Sequence, residues 1–109
     1  MVEVEEHPEV GAHSAAIHAG MAKIAAGDVR GVAELVAELS SDAPPFERGE
    51  AIDTLRPVAG TDFGYDSDKD AAGNEESLRR WAEWLDRTRG TLRYDPAART
   101  FAAPGPPPP

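Results

Sequence analysis

The segment Asp28-Val29-Arg30-Gly31-Val32-Ala33-Glu34-Leu35-Val36-Ala37-Glu38-Leu39 decides the fold class. Val29, Val32, Leu35, Val36 and Leu39 recur in steps of three and four, which places them on one face of a helix over 28–40. Asp28 is suited to cap that helix, because its carboxylate can accept from the free amides of the first turn. Gly31 weakens the helix by about 1 kcal/mol relative to alanine.

Outward from this segment the chain continues to read as helical. Upstream, Val10, Ile17, Met21 and Ile24 form an apolar stripe with alanines between them, which predicts a helix over 10–26 ended by Gly27. Downstream, Pro44-Pro45 suits a first helical turn, where no amide donor is needed. Phe46, Ala51, Ile52, Leu55, Val58 and Ala59 then predict a helix over 45–59, with Pro57 loosening its last turn and Gly60 ending it. The middle pair, 28–40 and 45–59, is expected to be antiparallel.

Residues 61–73 make a long loop rich in Asp and Gly. A loop of this length needs anchors, and Phe63 and Tyr65 are expected to pin it against the helices near Trp81. A fourth helix over 74–89 carries Leu78, Trp81, Ala82 and Leu85 on its apolar face, with Trp84 on the flank and Asn74 as its cap. Gly90 ends it. Leu92 and Tyr94, then a turn at Asp95-Pro96-Ala97-Ala98 and a return through Thr100-Phe101, predict a short β-hairpin. Leu35, Leu39, Ile52, Leu55, Trp81 and Leu85 are the expected core. The fold class is therefore mainly α: an acidic arm (1–9), one helical domain (10–103) and a proline-rich tail (104–109).

With 109 residues the chain is long enough for one small domain. Much of the apolar 40 % is alanine, so the core is thin and a packing partner is expected. The net charge of -9 disfavours nucleic acid and anionic membrane as partners, since both require a basic face. There is no cysteine, hence no disulfide framework or thiolate chemistry. The acidic N-terminus does not read as a signal peptide, and the expected location is cytoplasmic.

Gly27 to Gly60 resembles one HEAT-type repeat: an apolar helix, a short Ser-Asp-Pro turn, and a second helix with Arg48, Ala51 and Leu55. Asp42 and Arg48 match the turn acid and early arginine typical of that family. Gly60-Thr61-Asp62-Phe63-Gly64-Tyr65-Asp66, the Trp81-x-x-Trp84 helix and Leu92-Arg93-Tyr94-Asp95 resemble the C-terminal ends of HEAT-repeat-like proteins of planctomycete-type bacteria. The resemblance implies an α-solenoid fragment used for protein contacts. Fewer than three repeats bury little surface alone, so a protein partner or a second copy is expected on one helical face. Ile17, Met21, Ile24 and Trp84 are the candidate protein-binding residues.

Chemistry-bearing patterns are sparse. His13 and His18 are five apart, off the i, i+4 spacing of helical metal pairs. Asp66, Asp68 and Asp70, with Glu76, resemble the start of a calcium loop, but Ala71 and Ser77 stand at its sixth and twelfth positions. A small metal-binding module built on 66–76 is the alternative to a protein-interaction module; a solvated acidic turn before a helix is the simpler account. No nucleophile–base pattern, paired-acid pattern, phosphate cradle or cofactor motif stands out, and the expectation is a non-enzyme without cofactor.

Overall fold

The computed structural model describes residues 8–102. Four helices follow in chain order: α1 (Pro8–Ala25), α2 (Arg30–Glu38), α3 (Pro45–Ala59) and α4 (Glu75–Thr88). A single 3-10 turn, Ala72–Asn74, leads into α4. Strands β1 (Arg93–Asp95) and β2 (Thr100–Ala102) pair antiparallel, with Tyr94 opposite Phe101. The fold is mainly helical with a small hairpin near its C-terminal end.

The closest helix pair is α1 on α2, and two glycines make it so. Both Gly20 and Gly31 are buried where the helices meet. A β-carbon on Gly31 would stand 2.5 Å from the Gly20 carbonyl oxygen, and one on Gly20 would stand 2.8 Å from Leu35 Cδ2. The residue that lowers the intrinsic helicity of α2 is thus the one that lets α1 approach. This draws the α1 stripe inward: Ile17 and Ile24 are buried beside Val32, Leu35 and Leu39.

Along α3, the inward positions are Arg48, Ala51, Ile52, Leu55 and Val58. Phe46, expected on the same stripe, is instead 78 % exposed. Stepping back three or four residues from Ala51 and Ile52 lands on Arg48, so Phe46 falls off the buried face. Pro57 lies on the exposed side, and the helix runs through it to Ala59 before Gly60 closes it in a left-handed conformation (φ 77°). Leu55 is wholly buried, and its truncation to alanine would cost about 2–5 kcal/mol.

The inward face of α4 also differs from its expected register. Ser77, Trp81 and Trp84 are buried, Ala82 is exposed and Leu85 is half-buried. An indole buries far more apolar area than a methyl group, so rotating Trp84 inward at the expense of Ala82 is favourable. Trp81 and Trp84 meet edge-on with ring centroids 5.4 Å apart. The hairpin closes one end of the bundle. Phe101 is buried, and the Tyr94 hydroxyl donates to the Ala25 carbonyl at the end of α1 (2.6 Å).

Candidate functional site

Of the residues expected to bind a partner, Ile17, Ile24 and Trp84 are almost fully buried inside the chain and Met21 is half-buried. They are core residues rather than contact surface. For the three α1 residues the physical reason is the Gly20–Gly31 approach, by which α2 already covers the α1 face that the stripe marks; Trp84 is turned inward on α4, against Trp81. His7 lies outside the described residues. His13 Nδ1 lies 3.0 Å from Glu38 of α2, and His18 Nε2 lies 3.5 Å from Glu50 of α3. With the Ser14–Glu47 hydrogen bond and the Lys23–Glu34 ion pair, these contacts form the polar edges of the α1 packing.

The acidic loop is closed by the protein's own donors. Asn74, expected as a helix cap, turns its side chain into the loop. Its Oδ1 accepts from the Asp66 amide (2.9 Å), and its Nδ2 donates to the carbonyls of Asp66, Lys69 and Asp70 (2.8–3.1 Å). Arg48 is 7 % exposed and reaches the loop from α3, donating to the Lys69 carbonyl (2.5 Å) and the Ala43 carbonyl (2.8 Å). A buried guanidinium needs such acceptors, and two backbone carbonyls supply them here.

The carboxylates of the loop are engaged as well. Asp66 accepts from the Asp68 amide (3.0 Å) and Asp70 from the Gly73 amide (2.9 Å). Glu76 faces Arg79 and Arg80, which hold its carboxyl below the usual range. Among the described residues, no group of three or more His, Cys, Asp or Glu side chains is placed to hold a metal ion. Asp66, Asp68, Asp70 and Glu76 therefore do not converge.

Both aromatic anchors of the loop are in place. Phe63 meets Trp81 edge-on at 4.9 Å, and Trp81 Nε1 donates to the Asp62 carbonyl (3.0 Å). The buried Tyr65 hydroxyl donates to the Leu39 carbonyl at the end of α2 (2.7 Å), and burial raises its pKa. Asp28 acts as a local clamp: it accepts from the Arg30 amide (3.1 Å) and pairs with the Arg30 guanidinium (2.7 Å), which lowers its carboxyl pKa to about 2.

Two apolar features remain on the outside. The first is a cleft of about 190 Å³ between the start of α2 and the end of α4, with Val29, Val32, Ala33, Leu85 and Leu92 in its lining. Val29 is 46 % exposed there, and Arg30 and Arg89 stand in the same lining. The second is Phe46, beside a shallow hollow that also contains Glu50, Asp53 and Asp68. Sequence periodicity assigned Phe46, Val29 and Leu85 to the core. The off-stripe spacing of Phe46 from Arg48, Ala51 and Ile52 was the signal that could have separated it.

Charge is divided along the chain. Fifteen of the twenty acidic residues lie in 1–74, with five of the eleven basic ones; the other six basic residues, all arginine, share 75–109 with five acids. Among the described residues, Arg87, Arg89, Arg93 and Arg99 make no ion pair. Also among the described residues, no helix is long and apolar enough to cross a membrane. Compared with family models, curated proteins and solved structures, the chain matches none.

Proposed function

We propose that this chain is a non-enzymatic protein-binding module that engages a protein, or another copy of itself, through the cleft between α2 and α4. The observation that carries this reading is the cleft itself. Val29 is exposed and Leu85 and Leu92 are half-buried, so all three keep apolar surface open to solvent at the cleft in the folded chain. Open apolar surface with charged neighbours is characteristic of contact sites. The HEAT-like resemblance favours the same class of function, with the site moved from the α1 stripe to the opposite side of α2.

The test is a quantitative pull-down from the native lysate with wild type and Ala33→Glu. Ala33 is exposed and lines the cleft, so a carboxylate there blocks the site and leaves the core intact. The reading requires at least one protein, this chain included, to be captured by wild type and lost with the variant. Identical capture profiles, with the variant folded by circular dichroism, would refute it.

A further inference from the structure

We infer that the occupant of the α2–α4 cleft is Phe46 of a second copy, so that the chain associates head to tail. This rests on the protein-binding reading above and names its partner. Phe46 and the cleft lie at opposite ends of α2. The cleft takes Val29, Val32 and Ala33 from the start of that helix, whereas Phe46 opens α3, just after the connection leaving the end of α2. The Tyr65–Leu39 and Arg48–Ala43 hydrogen bonds hold the beginning of α3 and the acidic loop at that far end.

The two ends match in size and in charge. An aromatic ring is accommodated by an apolar cavity of about 150 Å³, and the cleft measures about 190 Å³. Phe46, 78 % exposed, is the largest exposed apolar side chain among the described residues. Glu50, Asp53 and Asp68 line the hollow beside it, Asp53 paired with Arg56 and Glu50 3.5 Å from His18, so that Asp68 is the carboxylate there without an ion pair among the described residues; Arg89 flanks the cleft, likewise with no ion pair among the described residues. An aromatic residue with an acidic surround, presented to an apolar cleft with an arginine at its side, satisfies both apolar burial and electrostatic complementarity.

A knob and a hole on different ends of one molecule make a heterologous contact. Such a contact does not use itself up in a dimer; it adds copies unless the rotation closes a ring. Single substitutions then have a particular signature. A chain without the knob retains a working cleft, and a chain without the cleft retains a working knob.

The experiment is sedimentation velocity on wild type, Phe46→Ala, Ala33→Glu and an equimolar mixture of the two variants. The range is about 10 μM to about 1 mM, where a small single-anchor contact is measurable. Both substituted positions are exposed, and circular dichroism checks each fold; Phe46→Ser and Ala33→Gln replace either variant that fails. Wild type is expected to grow beyond a dimer with concentration, less so as salt rises, because the flanking charges are exposed and screened. Each variant alone is expected to stay monomeric, and the mixture to form a 1:1 dimer that grows no further. A monomeric mixture, a monomeric wild type at the highest concentration, or a wild type that stops at a symmetric dimer would overturn the inference. If the mixture fails while Ala33→Glu still strips a different protein in the pull-down, the head-to-tail contact is wrong and the binding-module reading stands.

Discussion

Replacing Gly31 by alanine tests the close approach of α1 and α2. In an isolated helix that change is favourable by about 1 kcal/mol. In this bundle the new methyl would stand 2.5 Å from the Gly20 carbonyl oxygen, 2.9 Å from Lys23 Cβ and 3.0 Å from Ile24 Cγ1. A relaxed carbon–oxygen contact lies at roughly 3.3 Å, so the helices must part by several tenths of an ångström. The first obstacle is backbone and cannot rotate away. Overpacking of this kind costs about 1–3 kcal/mol, and with a backbone obstacle the upper end applies. Set against the propensity gain, the net loss is about 2 kcal/mol, or roughly 8–16 °C in Tm for a domain of this size.

Gly49 supplies the control for that experiment. It also lies in a helix, but a β-carbon there would meet only Ser67, at 3.5 Å or beyond. Gly49→Ala is therefore expected to stabilise by about 0.5–1 kcal/mol, the opposite sign. Urea denaturation and differential scanning calorimetry on the two variants measure both values. If Gly31→Ala equals or exceeds wild type in stability while Gly49→Ala behaves as stated, the helices are not in close contact at Gly20 and the packing argument fails.

Further outcomes follow from the loop anchors. The buried Tyr65 hydroxyl has its pKa raised by burial, so the native state holds that proton more tightly than the unfolded chain. Its contribution is complete below the unfolded value of about 10 and falls as pH climbs through the higher native value; Tyr65→Phe should flatten the alkaline limb of a stability–pH curve, and an unchanged limb contradicts this. The same substitution removes the hydrogen bond to Leu39, at a cost of about 1 kcal/mol at neutral pH. Arg48→Leu orphans the Ala43 carbonyl and leaves the Lys69 carbonyl with Asn74 as its donor, and should cost about 1–3 kcal/mol in chemical denaturation, whereas a loss under about 0.5 kcal/mol would show the Arg48 contacts to be dispensable. Asn74→Ala should speed hydrogen exchange at the Asp66 amide while α1 and α2 amides keep their protection; equal protection of Asp66 in both proteins would mean that Asn74 does not order the loop.

Local physics in the sequence was sufficient for the elements. The steps of three and four through Val32, Leu35 and Leu39 and through Ile52, Leu55 and Val58 placed α2 and α3. Gly27 and Gly60, both left-handed in the structure, ended helices where backbone sterics require. The alternation at Leu92 and Tyr94 marked the hairpin, and the length of the 61–73 loop demanded its aromatic anchors.

Which residues meet was settled only in three dimensions, because periodicity describes one helix and packing involves two. Gly31 appears within its own helix as a weakness, and its value lies in the space it leaves for Gly20 across the α1–α2 contact. Ile17, Ile24 and Trp84 could serve a partner or the core equally well until α2 covered the first two and α4 turned the third inward. Asn74 and Arg48 reach acceptors several to many residues away, which no capping pattern encodes. Phe46 and the cleft lined by Val29 and Leu85 became candidate contacts for the converse reason: the apolar surface of these residues is what the folded bundle leaves uncovered.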